Sequence, residues 1–193
     1  MELVGHREDL LEGAKRCIYE RGYARTTARD IVAASGTNLA SIGYHYGSKE
    51  ALLNAALIEA NEEWGETLAK TLQVDTPPEA APAERFELIW QRVIESFGEH
   101  RRMWAVSFEA CSQPDLDETV RAQLANAVEQ ARHGLANLFQ GLDDGSAEAR
   151  AAGTVHQALL SGAMLQWLID PDHAPSGADL VRGLRLIAKD VLG

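Results

Sequence analysis

The chain has 193 residues, 46% of them hydrophobic and 24% charged, with a formal net charge of −11. That length allows one domain or two small ones, and the composition excludes wholesale disorder. Cys17 and Cys111 are too few for a disulfide scaffold; both lie in apolar stretches, which points to a reducing, cytoplasmic setting. The opening Met1-Glu2-Leu3-Val4-Gly5-His6 has no basic region followed by an apolar core, so no secretory signal is expected.

The charge is unevenly placed. Residues 1–50 carry seven basic groups (Arg7, Lys15, Arg16, Arg21, Arg25, Arg29, Lys49) and seven acidic ones, so the remaining residues hold the whole −11. An acidic body is repelled by a polyanion, so any contact with nucleic acid must come from the N-terminal head.

Apolar residues recur at spacings of three and four, and alternating β-branched runs are absent, which predicts an all-α chain of about nine helices. Leu10, Ala14, Cys17 and Ile18 line one face of a first helix that Gly22 ends. A short helix follows from about Thr27 to Ser35, then Gly36, then another from about Asn38 to Tyr46. Ser48 can cap a long helix through Ala51, Leu52, Ala55, Ala56, Ile58 and Leu72, stopped by Thr76-Pro77-Pro78. All six prolines (Pro77, Pro78, Pro82, Pro114, Pro171, Pro175) read as breaks between helices.

Phe86, Ile89, Trp90, Val93 and Phe97 mark an amphipathic helix. Met103 to Cys111 is apolar nearly all round, so it is expected to be enclosed by other helices. Val120, Leu124, Val128, Ala131, Leu135 and Leu138 trace a further long helix. Two more are expected at residues 151–169 and 180–192. The former is a run of 19 uncharged positions, but Thr154, His156, Gln157, Ser161 and Gln166 are spread along it. A helix buried between protein surfaces is expected there rather than a membrane span.

The chemistry concentrates in Thr26 to Tyr46. Two short helices meet at a turn where Gly36 can take a positive φ, Thr26 or Thr27 caps the first, and Asn38 caps the second. Asp30 lies near the positive end of the first helix. Ile31 and Ile42 would hold the pair against the preceding helix. This is a helix-turn-helix pattern, whose second helix enters the major groove. Ser41, Tyr44 and His45 can bond base edges or phosphates, and Leu39 or Ala40 could touch a thymine methyl. Lys49, at the start of the next helix, adds its charge to free N–H groups that attract phosphate.

Residues 7–55 resemble the N-terminal domain of TetR-type transcriptional regulators. The resemblance rests on Thr26-Thr27, Arg29-Asp30-Ile31, Gly36, Tyr44-His45-Tyr46 and Ser48-Lys49-Glu50 at constant spacing. It implies a helix-turn-helix DNA-binding domain at residues 1–47 and a helical ligand-binding and dimerisation domain at 48–193. By the same resemblance Thr27, Tyr44, His45 and Lys49 contact phosphates, while Leu39, Ala40, Ser41 and Gly43 face the groove. The chain departs from the family pattern at Val32, where alanine is usual, at Thr37, where an apolar residue is usual, and at Gly43, which replaces a tyrosine. Gly43 removes a side chain from the reading face, shifting weight to DNA shape.

The resemblance further implies a homodimer on a palindromic or near-palindromic duplex operator, its last two helices forming an intersubunit four-helix bundle. Ala152, Val155, Leu159, Gly162 and Ala163, with Leu180, Leu184, Ile187 and Val191, would supply that interface. An internal core helix in a monomer is the other reading.

The four tryptophans all lie outside the head. Trp64, Trp90, Phe97, Trp104, Phe108, Cys111, His156 and Trp167 are candidates to contact a mostly apolar, flat effector, with Gln157 and Gln166 as further polar groups. Packing in the core is the competing reading of this aromatic set.

The expected function is a ligand-responsive, DNA-binding transcriptional regulator, a repressor released from its operator by the effector. It would work in the cytoplasm at the nucleoid, without cofactor, metal or membrane. Zinc-type Cys/His spacing, a Gly-rich phosphate loop and Gly-x-Ser-x-Gly are missing from the sequence, and pairs such as Asp143-Asp144 read as solvated turns, so no enzyme is expected. The alternative is an all-helical protein-interaction module without DNA binding.

Overall fold

The computed structural model describes residues 2–75, 80–112, 118–142 and 145–192. Nine α-helices and one short 3-10 turn make up its regular structure, with no strand among the described residues. The helices are α1 Glu2–Arg21, α2 Ala28–Ser35, α3 Leu39–Tyr46, α4 Lys49–Asp75, α5 Pro82–Glu99, α6 Arg101–Cys111, α7 Glu118–Gln140, α8 Ala147–Ile169 and α9 Gly177–Leu192; the 3-10 turn is Pro171–His173. The expected stop at Thr76-Pro77-Pro78, the break at Pro114, the Asp143-Asp144 turn and the side chain of Leu72 lie outside the described residues.

Two compact units emerge, Met1–Glu63 with Arg102–Val128, and Trp64–Arg101 with Glu129–Gly193. This partition differs from a division between residues 47 and 48. Leu52, Leu53, Ala56 and Leu57 of α4 and Val106 and Ala110 of α6 share one core with Leu10, Ala14, Cys17, Ile18, Ile31 and Ile42.

In the first unit α1 presents the expected stripe, with Leu10, Ala14, Cys17 and Ile18 all buried. The chain leaves α1 at Gly22, whose φ of 89° suits a residue without Cβ. The close approach of α1 and α2 falls at Gly13, where a Cβ would lie 2.8 Å from Ser35 Cβ. Val32 is half-buried against the same core.

Lys15 is almost buried and meets Glu12 of its own helix at 3.2 Å and Glu59 and Glu63 of α4 at 2.7 and 2.8 Å. Burial alone would favour the neutral amine, but the three carboxylates hold its pKa above the usual lysine value. The helix α6 is not enclosed. Met103, Trp104, Val106 and Ala110 are buried on one side, while Arg101, Arg102, Ala105 and Cys111 are exposed. Its apolar run carries a polar edge made of Arg102 and Glu109.

In the second unit α5 buries Ile89, Trp90, Val93 and Phe97. Each such side chain contributes about 1.5–3 kcal/mol relative to exposure. Pro82 sits in the first turn of this helix, where its missing N–H leaves no helical bond unmade. Ser146 caps α8 by accepting from the Ala149 N–H at 3.0 Å. α8 turns Ala149, Gly153, His156, Leu160, Ala163 and Met164 inward. Gly153 lets α8 press on α7, since a Cβ there would overlap the Arg132 carbonyl.

The uncharged α8 run is therefore buried on one face only. Val155, Leu165 and Ile169 remain exposed. No helix among the described residues is long and apolar enough to cross a membrane.

Candidate functional site

The helix-turn-helix is built by local capping. Thr27, not Thr26, is the N-cap of α2. Its Oγ1 accepts from the Asp30 N–H at 3.2 Å, and its own N–H donates to Asp30 Oδ2 at 3.0 Å, a reciprocal box. The Thr27 hydroxyl, donating to the same Oδ2 at 2.7 Å, and the Thr27 N–H hold the Asp30 carboxyl below the usual range. Thr26 is fully buried, its hydroxyl donating to the Gly22 carbonyl at 2.7 Å. Gly36 closes α2 at φ 69°, and Asn38 Oδ1 caps α3 by accepting from the Ser41 N–H at 3.1 Å.

α3 is anchored from beneath and open above. Ile42 packs into the core, and the Tyr46 hydroxyl donates to the Arg7 carbonyl at 2.9 Å while its ring lies 5.5 Å from the Arg7 guanidinium. The opposite side is bare: Leu39 is 52% and Tyr44 75% exposed, Ala40 and Gly43 are also exposed, and Ser41 and His45 are half-buried. His45 meets the Tyr44 ring edge-on at 4.9 Å. Nothing lies within 4 Å of where a Gly43 Cβ would stand, so no crowding by a neighbour requires glycine here.

The Lys49 ammonium is poised beside this face. It donates to the Thr26 carbonyl at 3.2 Å and pairs with Glu50 at 3.2 Å. Thr27 is exposed, with its hydroxyl and N–H both committed to Asp30.

A contact that local sequence signals did not expose braces the turn before α2. Glu109 of α6 accepts from the backbone N–H groups of Tyr23 at 3.0 Å and Ala24 at 2.9 Å. Arg102, near the other end of α6, donates to the Tyr19 carbonyl of α1. These are the polar edge of α6.

The eight effector candidates fall into different places. Trp104, Phe108 and Cys111 belong to the first unit, with Trp104 buried, Phe108 half-buried and Cys111 exposed. Trp64, Trp90, Phe97, His156 and Trp167 belong to the second. There the Trp64 indole N–H donates to Ser96 Oγ at 3.1 Å, and the ring borders a groove of about 190 Å³ with Leu68, Arg92 and His100. Phe97 meets Trp167 edge-on at 6.1 Å. Gln157 is half-buried and Gln166 exposed.

Trp90 and His156 come together around Phe139, a residue not singled out from sequence. Phe139 stacks on His156 at 4.0 Å and meets Trp90 at 5.3 Å, with Phe86 against all three rings. Burial pushes the His156 imidazole down to about 4, so it is neutral at physiological pH.

These features have counterparts in known proteins. The family model for bacterial regulatory proteins of the tetR family matches residues 10–56. Over 135 residues the chain is 30% identical to the HTH-type transcriptional repressor AcnR of Corynebacterium efficiens, covering 67% of this chain and 69% of that repressor. Over 174 residues it is 27% identical to the HTH-type transcriptional regulator TtgR of Pseudomonas putida, covering 86% and 81%. The crystal structure of the multidrug binding protein EbrR complexed with imidazole shares the fold, with a TM-score of 0.63 at 24% identity over 92% of this chain and 86% of that one.

Proposed function

This chain belongs to the TetR family of bacterial regulatory proteins, and from that premise we propose that it works as a homodimeric repressor released from its operator by a mostly apolar small molecule. Its family makes it a DNA-binding transcriptional regulator; the assembly, the contacts and the direction of control are our reading. The observation that carries the reading is the bare outer face of α3, with Leu39 and Tyr44 exposed on a helix whose inner face is locked to α1.

On this reading Leu39, Ala40, Ser41 and Gly43 face base edges in the major groove, and Thr27, Tyr44, His45 and Lys49 hold phosphates. Lys49 exchanges its Thr26 carbonyl for a phosphate oxygen, and Thr27 presents its hydroxyl or N–H at a small cost to its cap. A palindromic or near-palindromic operator follows from two-fold symmetry, with recognition helices ~34–36 Å apart.

The dimer is supported by an uncovered seam. Val155 and Ile169 of α8 and Ile187 and Val191 of α9 are between 52% and 76% exposed, and Leu159, Gly162, Leu180 and Leu184 continue the same stripes half-buried. Ala163, expected at this interface, is buried within the subunit instead. A ligand that prefers a spacing unlike that of the operator grooves lowers DNA affinity by linkage. The protein acts in the cytoplasm, at the nucleoid.

The test is binding of the purified protein to the fragment upstream of its own coding sequence, read by fluorescence anisotropy against an unrelated duplex across a salt series. Specific binding that weakens steeply with salt is expected. Failure to bind any duplex at low ionic strength overturns the proposal.

A further inference from the structure

The cluster of Phe86, Trp90, Phe139 and His156 contains two unmet hydrogen-bonding groups. Trp90 is fully buried and His156 is 4% exposed, yet neither Trp90 Nε1 nor His156 Nδ1 has a hydrogen-bond partner. A buried group left unsatisfied carries its full desolvation penalty. An apolar side chain would serve a passive core better at both positions, so two of them in one ring cluster need a reason.

The other imidazole nitrogen is occupied. His156 Nε2 lies 2.9 Å from Gln140 Nε2 and 3.1 Å from Gln140 Oε1. When the amide nitrogen donates, the imidazole proton sits on Nδ1 and Nδ1 is a donor. When the amide oxygen accepts from Nε2–H, Nδ1 is an acceptor. One rotation of Gln140 therefore switches what Nδ1 offers, while Trp90 Nε1–H remains a donor.

Access runs through Phe86. It is half-buried, whereas the other three rings are buried, and its centroid lies 5.4–6.2 Å from each of them. A ring in its place meets the Phe139–His156 stack side-on, because those two rings already face each other at 4.0 Å.

We infer that this cluster is the effector subsite, and that it takes a neutral, planar fused-ring aromatic molecule bearing a hydrogen-bond acceptor, which replaces the Phe86 ring, packs side-on against the Phe139–His156 stack and accepts from Trp90 Nε1–H. The inference rests on the effector-released reading above and gives that effector a chemical class. Neutrality follows from the lining: four rings and an amide provide no opposite charge for a buried ion.

Two isosteric probes test it, 2-quinolone, which carries a carbonyl acceptor, and naphthalene, which carries none. In ¹⁵N spectra the four tryptophans give separate indole N–H signals, and Trp90→Phe identifies the one from Trp90. Saturable downfield movement of that signal with 2-quinolone is expected, with naphthalene binding at least fivefold more weakly. Trp90→Phe, with binding read by equilibrium dialysis, should erase most of that preference, and Phe86→Ala, by leaving a ring-sized hole, should tighten both probes. The site is overturned if neither the native protein nor folded Phe86→Ala binds 2-quinolone, if naphthalene binds equally well, or if only other indole signals move. Operator release is followed separately. A compound that frees the DNA while leaving the Trp90 signal still overturns this subsite and spares the repressor reading. Binding of 2-quinolone at Trp90 with the DNA complex undisturbed supports the subsite and tells against effector release.

Discussion

Glu109 grips Tyr23: a carboxylate on α6 accepts the Tyr23 backbone N–H at 3.0 Å and, through its second oxygen, that of Ala24 at 2.9 Å. The two donors belong to the turn that aims α2 and α3, and a charged acceptor makes the stronger class of hydrogen bond. Glu109→Ala should therefore lower unfolding free energy by about 1–3 kcal/mol in urea titration. Glu109→Gln keeps one acceptor oxygen and should recover part of that loss. An unchanged urea midpoint in Glu109→Ala would remove α6 from any role in bracing the turn.

The reading face makes a prediction that separates charge from contact. Lys49→Ala removes one cation per subunit, so a dimer should show a log–log salt dependence shallower by about 1.8. Tyr44→Ala removes a neutral hydroxyl and ring, so affinity for every duplex should fall several-fold with the slope unchanged. Anisotropy titrations at four salt concentrations read both. Identical slopes for Lys49→Ala and native protein would mean that this ammonium stays on the Thr26 carbonyl in the complex.

What was legible in the sequence was local. Thr27 and Asp30 lie three residues apart, as do Asn38 and Ser41, so caps and turn glycine announce α2 and α3 within a short window. The stripe on α1 and that on α5 follow from helical spacing alone. The partners of α6 did not show, because Glu109 binds backbone 85 and 86 residues away and backbone has no sequence signature. An apolar run from Met103 to Cys111 therefore read as enclosed when it is one-sided. Likewise His156 was recognisable as an odd residue in an uncharged helix, but its stacking partner Phe139 belongs to another helix and carries no special pattern. A second capping box, Ser176 with Asp179, starts α9 three residues before the apolar spacing does.

Assembly is testable by charge. Ile187→Glu on α9 combined with Val155→Glu on α8 places carboxylates on the two exposed stripes while leaving the buried faces of both helices untouched. Light scattering should then report a single chain with an unchanged helical circular dichroism spectrum. Operator affinity should drop about 100-fold or more, because the second half-site is no longer delivered at high effective concentration. A persistent dimer would place the interface on another surface.

The buried imidazole of His156 fixes the sign of a pH effect. Its pKa falls from the ordinary 6.5 to about 4 on folding, because burial disfavours the charged ring. Between those values the unfolded chain binds a proton that the folded chain does not, so stability rises with pH across that window and is progressively lost as pH drops from 6.5 towards 4. Asp30, Glu95 and Asp179 have carboxyls held below their ordinary values by hydrogen bonds, so the stability they add is lost lower, as pH falls through and below the ordinary carboxylate range. The contribution of His156 is therefore isolated by comparison. His156→Phe keeps a ring in the Phe139 stack and removes the titrating nitrogens, so the difference in melting temperature between variant and native protein should grow in the variant's favour as pH is lowered from 7 to 4.5. Parallel melting curves for the two proteins across that range would mean that His156 is protonated within the fold, and would take away the neutral lining on which the inferred ligand class depends.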